Sequence, residues 1–218
     1  MNEILIYAPK LLSGLGWTIL AWSLGCLGGL VIGLLLALLL SARIKFFSVF
    51  VSIYVMVFRG APLLIQLFLL YSAGPSIGIT LDPIPAGIIA LALYSAAYFC
   101  EVFRSGIESV QHGQIEAGRT LGLGSAAIFS LIVFKPALVT VLPSLVNTSI
   151  IMLKESVILS VIAVPELMYQ IQSMASETYA FFPALLCTAL FYWCLSQLLG
   201  TMGRQVEAKL GQYRLRQH

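Results

Sequence analysis

Residues 11–42 read LLSGLGWTILAWSLGCLGGLVIGLLLALLLSA without one charged side chain. A helix needs about 20 mostly apolar residues to cross the hydrocarbon of a bilayer, and this run exceeds that length. The rest of the chain agrees. Of its 218 residues, 60% are hydrophobic and 10% are charged, against about 45–50% and about 25% in soluble domains. A soluble protein of this size could not cover its surface with so few polar groups. Disorder is excluded, because burial is strongly favoured. A net charge of +3, with no basic cluster before the C-terminus, argues against nucleic acid as a partner. The chain reads as an integral membrane protein.

Working outward from that run, the sequence predicts an all-α membrane protein with five transmembrane helices, at about 17–40, 48–72, 84–103, 138–162 and 181–202. These form one transmembrane domain over 1–218, with a long loop at 104–135. Ten-residue segments of strand-type alternation are absent, which argues against a β-barrel. The first run is too long for a cleaved signal peptide, and its stronger positive flank follows it. Lysine and arginine set the direction. Arg43, Lys45, Arg104, Arg119, Lys135, Arg204, Lys209, Arg214 and Arg216 fall on one side, and Lys10 alone falls on the other. The expected orientation places the N-terminus outside and the C-terminus in the cytoplasm.

Several chemistries find no support. Cys26, Cys100, Cys187 and Cys194 lie in or at the edge of spans, where they read as small packing residues. His112 and His218 are too few and too separate for a metal site. No glycine is followed by lysine, so there is no Walker A loop. The chain is expected to bind no cofactor and to be no enzyme. Any ATP-driven work would need a nucleotide site on another chain. No inverted repeat marks a secondary transporter.

The polar residues inside spans carry the functional reading. In span one, Gly25, Gly29 and Gly33 recur every fourth position with Ala21 and Ala37, a stripe for close helix packing, either within the chain or between subunits. Trp17 and Trp22 fit an outer aromatic belt. Span two holds Arg59-Gly60-Ala61-Pro62, a charge beside two helix breakers. Intramembrane charge marks a path or a gate by default. The alternative is a structural arginine, with Glu155 as the candidate partner. Span four holds Lys154-Glu155-Ser156, whose neighbours point about 100° apart and so need separate partners or water. The long loop carries a short helix candidate at 116–121, ended by Gly122, and Ser125 as the cap of a second.

That loop is where a family becomes visible. Glu116-Ala117-Gly118, three residues, Gly122, nine residues, then Ile132 resembles the EAA signature of ABC importer permeases. Phe58-Arg59-Gly60-Ala61-Pro62-Leu63-Leu64 resembles the FRGTPLL segment of the polar amino-acid permeases. Leu93-Tyr94-Ser95-Ala96-Ala97-Tyr98, Glu101 and Arg104-Ser105-Gly106-Ile107 are similar to a further stretch of theirs. So are Leu142-Pro143-Ser144-Leu145-Val146-Asn147 and Leu153-Lys154-Glu155-Ser156. Val164-Pro165-Glu166-Leu167 follows in order. The departures are Gly118 for the second alanine, Ala61 for threonine and a late Pro136.

The resemblance implies a type I importer fold and a multi-pass permease of a bacterial inner membrane. It implies coupling helices, with Glu116, Ala117, Gly118 and Gly122, that enter a groove on a dimer of ATP-binding subunits. ATP and magnesium would sit on those partners. It implies a second permease, identical or a sister chain, and a solute-binding protein docking near 77–85 and 165–178. The substrate would be a polar amino acid or derivative. Arg59, Gly60, Pro62, Lys154, Glu155 and Ser156 are the candidates for the path it follows through the lipid bilayer.

Overall fold

The computed structural model describes residues 2–42 and 44–215; Arg43, Arg216 and His218 lie outside them. The elements are α1 (Asn2–Ser41), α2 (Lys45–Gly60), α3 (Leu63–Tyr71), α4 (Pro83–Glu108), α5 (His112–Thr120), α6 (Ser125–Ile128), α7 (Phe134–Glu155), α8 (Leu167–Thr178) and α9 (Phe181–Leu215). A π turn at Phe129–Val133 joins α6 to α7, and a 3-10 segment at Ser156–Ile162 extends α7. The result is one helical rod over Ser125–Ile162.

Packing register gives the number of crossings. Gly25 faces Leu91 and Gly33 faces Ala96 and Phe99, so α1 and α4 run in the same direction. The chain therefore returns once between them, through α2 and α3. Gly87 faces Leu159 and Gly106 faces Ala137 and Val141, so α7 runs against α4. Gly200 and Gly203 face Ile150 and Val146, so α9 runs against α7. Five passes result. One end of the molecule, the basic end, carries Arg104, Arg119, Lys135 and Arg204.

The glycine stripe of α1 is used inside the chain. A Cβ on Gly33 would lie 2.8 Å from the Ala96 carbonyl oxygen and 2.8 Å from Phe99 Cβ, and one on Gly29 would clash with Ser95. The gap closed in this way lets the Ser95 hydroxyl donate to the Gly25 carbonyl at 3.2 Å. In lipid, where no hydrophobic drive joins helices, such close backbone approach supplies the packing. Phe99, Leu91 and Leu67 are fully buried in the resulting core.

Two expectations are corrected, and the weak point expected in span two gains its geometry. Trp22 is not a free belt residue: its indole donates to the Ser149 carbonyl at 2.8 Å and ties α1 to α7. Span two is not one straight helix. Its halves meet at 104°, because Pro62 has no N–H to donate and forces Ala61 into extended backbone (φ −102°, ψ 140°). The Gln66 amide repairs the break, donating to the Phe58 and Ala61 carbonyls at 2.9 Å each. The fourth span begins at Ser125, because the second loop helix flows into it through the π turn.

Candidate translocation path and coupling surface

α5 presents three faces. At about 100° per residue, Gly118 turns toward the rod, where an added Cβ would lie 2.6 Å from Ile132 Cδ1 and 3.2 Å from Ile128 Cγ1. Here the glycine is a packing device, and it seats α5 on the rod. Ile115 and Arg119 share the next stripe. Gly113, Glu116 and Ala117 remain on the outer, exposed face. The helix ends as its sequence requires. Leu123 N–H bonds the Gly118 carbonyl at 3.1 Å and Gly122 N–H bonds that of Arg119 at 3.0 Å. This pair of bonds is a Schellman closure, with Gly122 at φ 76° in the left-handed region that favours glycine. The helix starts at His112 rather than 116. Ser125 is not a cap: Gly124 holds that position and Ser125 is the first helical residue.

The charged residues of the spans divide into two groups. Arg59 pairs with Glu101 at 3.4 Å, not with Glu155, and its guanidinium stands 5.3 Å over the Tyr98 ring. Glu101 also accepts from Arg104 Nε and Nη2 at 3.0 Å each. Arg104 in turn clasps Glu108 at 2.9 and 2.7 Å. The ladder Arg59–Glu101–Arg104–Glu108 thus descends one side of α4 toward the basic end. Sequence reading missed Glu101 and Arg104 as its members; their spacing of three and four along one helix was the signal. Gly60 has open space around it and Pro62 is exposed at the bend.

At the other group, near the end of α7, Lys154 is exposed and has no ion pair among the described residues. Glu155 is half-buried and lies within electrostatic reach of Tyr94, whose hydroxyl is 3.0 Å from that of Tyr98. Ser156 is buried and donates to the Leu153 carbonyl at 2.7 Å. The structure therefore sets Arg59 against Tyr98 and Glu155 near Tyr94, the two members of one hydroxyl-linked tyrosine pair.

A further polar centre was not foreseen. Glu166, 1% exposed, caps α8 by accepting from Met168 and Tyr169 N–H at 2.9 and 2.8 Å. Tyr192 of α9 donates to it at 2.9 Å and Thr18 of α1 at 3.3 Å. This carboxylate pins α8 between the first and last spans at the end away from the basic one.

Residues 29–212 match the family model described as "Binding-protein-dependent transport system inner membrane component". The chain belongs to that family. The permease is 37% identical over 215 residues to a putative glutamine transport system permease protein, GlnP, of Rickettsia bellii, covering 96% of this chain and 99% of that one. It is 32% identical over 203 residues to the arginine transport system permease protein ArtQ of Bacillus subtilis, covering 93% of each. Among solved structures it superposes on a crystal structure of an amino acid ABC transporter with histidines, with a TM-score of 0.90 and 35% identity over 95% of this chain and 97% of that chain. The inward-facing MetNI methionine ABC transporter, at 19% identity and a TM-score of 0.74, shares the fold. The permease is thus the inner-membrane component of a binding-protein-dependent ABC transporter. It is not itself the ATPase, and its family implies an ATPase and a binding protein as partners.

Proposed function

We propose that this permease carries a polar amino acid, or a derivative of one, inward past Tyr94, Tyr98 and Glu155, driven by a separate ATPase dimer. ATP and magnesium sit on that partner. The observation that carries the reading is the continuous helical stretch Ser125–Ile162, in which a π turn at Phe129–Val133 and a 3-10 segment from Ser156 flank α7. Its basic end is gripped by α5 through Gly118, and its other end bears Lys154-Glu155-Ser156. A displacement imposed on the outer face of α5, at Glu116 and Ala117, therefore reaches the polar cluster along one helical stretch. Gly122 fixes where α5 ends and keeps that connection short. Alternating access follows if ATP binding and hydrolysis favour different positions of the rod.

Glu155 is the group for an α-amino or cationic end of the solute. A carboxylate with no ion pair of its own favours a cation by a charge-assisted hydrogen bond. Arg59 reads as the scaffold of the opposite wall, since Glu101 already holds it. Lys154, exposed in the single chain, faces a second permease across the path, whether an identical copy or a sister chain. The sequence likeness to permeases of glutamine and arginine systems supports the amino-acid class.

The test is reconstitution of the permease with its ATPase and binding protein in liposomes. ATPase stimulation is measured with a panel of amino acids, sugars and peptides. Stimulation by one or a few polar amino acids is expected; stimulation confined to another solute class would refute the substrate proposal. Loss of stimulation in Glu116→Ala, with the assembly intact, is expected of the coupling face.

A further inference from the structure

A cleft of about 750 Å³ opens at the basic end, between the last turn of α1, the end of α4 and the α5–α6 segment. Leu40, Ile107 and Phe129 give it an apolar wall, and Arg104, His112 and Arg119 stand at its polar side. One carboxylate, Glu108, also lines it, but Arg104 holds both its oxygens. Arg104 Nε and Nη2 donate to Glu101. Arg119 is left as a lining cation with no ion pair among the described residues. The ladder thus neutralises the acidic group in the cleft and leaves one guanidinium uncommitted beside an apolar wall.

We propose that this cleft binds the headgroup of an anionic phospholipid from the cytoplasmic leaflet. Arg119 takes the phosphate by two parallel N–H···O bonds, and the Leu40–Ile107–Phe129 wall takes the first methylenes of an acyl chain. Three features favour this occupant. The wall is built from the ends of helices long and apolar enough to span, where headgroups meet a spanning helix. Basic pockets between spans on the cytoplasmic side are suited to anionic headgroups. The outer face of α5, with Glu116 and Ala117, is separate from the lining, so docking of the ATPase does not need the cleft. A free phosphate offers the same anion but leaves the apolar wall wet. Because Arg119 and Glu116 share α5, a bound lipid fixes the position of the coupling face.

The test uses the purified permease–ATPase assembly in detergent and native mass spectrometry. Phosphatidylglycerol, phosphatidylcholine and inorganic phosphate are added separately and in competition. Phosphatidylglycerol is expected to be retained about ten-fold more strongly than phosphatidylcholine. Arg119→Ala should lower its retention roughly five-fold, the worth of one basic group at an anionic surface. Should that variant fail to assemble, Ser125→Glu, which puts a negative charge into the lining, is expected to give a similar loss. Equal retention of the two lipids, or unchanged retention in Ser125→Glu, would overturn the proposal. Displacement of the lipid by millimolar phosphate would reduce the site to an anion site and overturn it likewise. A polar maleimide reports occupancy at Ser125→Cys. Shielding that requires the ATPase and ignores the lipid would assign the cleft to that subunit instead.

Discussion

The two groups of charge inside the spans are treated in opposite ways. Around the α2–α3 break, every charge has a partner: Arg59 has Glu101, Glu101 has Arg104, and Arg104 has Glu108. At the end of α7, Lys154 and Glu155 have no ion pair among the described residues. Charge at membrane depth is costly unless paired or wet. The paired ladder is therefore scaffold, holding a broken helix against α4. On the proposed function, the unpaired dipeptide is the part of the spans that meets water and solute.

Breaking the ladder should cost most in stability. Glu101→Ala leaves Arg59 without a carboxylate and Arg104 with Glu108 alone. Removing one partner of a buried pair costs about 3–5 kcal/mol. The side chains of Arg59 and Glu101 are 43% and 27% exposed, which lowers the expected loss to about 2 kcal/mol. Thermal unfolding of the purified permease reads it directly. Glu155→Gln should do the reverse, leaving stability within about 0.5 kcal/mol and cutting uptake about ten-fold or more through the lost charge-assisted bond. If Glu101→Ala melts like the parent, or Glu155→Gln transports like it, the division between scaffold and path fails.

Much of this contrast was legible in the sequence, and the reason it was not wholly legible is physical. The crossings follow from hydropathy, which acts locally. The short helix in the long loop, and its end at Gly122, follow from glycines and a glutamate at fixed spacing. The partner of Arg59 did not follow, because pairing across helices depends on the 104° bend, and Pro62 announces a break without its direction. Gln66 was passed over because a lone amide in an apolar helix looks incidental until the carbonyls freed by the break are counted. Glu166 was quoted only within a motif. Its burial depends on Thr18 and Tyr192, far away in the chain.

A smaller effect tests the joint between α5 and the rod. Gly118→Leu places a branched side chain where even a Cβ lies 2.6 Å from Ile132. Overpacking of this kind costs about 1–3 kcal/mol, and it should lift α5 rather than unfold the spans. Copurification of the ATPase, or its stimulation by solute, should fall while the permease still inserts. Gly118→Ala should show the same direction with a lesser loss, since the flexible end of Ile132 yields. A rod that carries no motion would leave both variants coupled, and the mechanical link to Glu155 would be lost with it.

The smallest effect lies at the opposite end, where a pair outside the spans offers the control for both groups of charge within them. Glu177 of α8 accepts from the Tyr7 hydroxyl at 2.7 Å and lies 3.7 Å from Lys10 Nζ. The tyrosine hydrogen bond first, and the lysine charge second, hold its carboxyl below the ordinary value of 4.5. Because the folded pKa is the lower one, the stabilisation is fully present above the unfolded value and is lost as pH falls through the folded value. The melting difference between the parent and Glu177→Gln should therefore be small and constant near neutrality, shrink below about pH 4.5 and vanish in stronger acid. Salt should reduce it, as it does for exposed pairs. By contrast, the deficit of Glu101→Ala should respond less to salt, since Glu101 is part-buried and held by two guanidinium groups. Equal salt sensitivity at the two sites would mean that the ladder is no more than a surface ion pair, and that its burial does not distinguish it from Glu177.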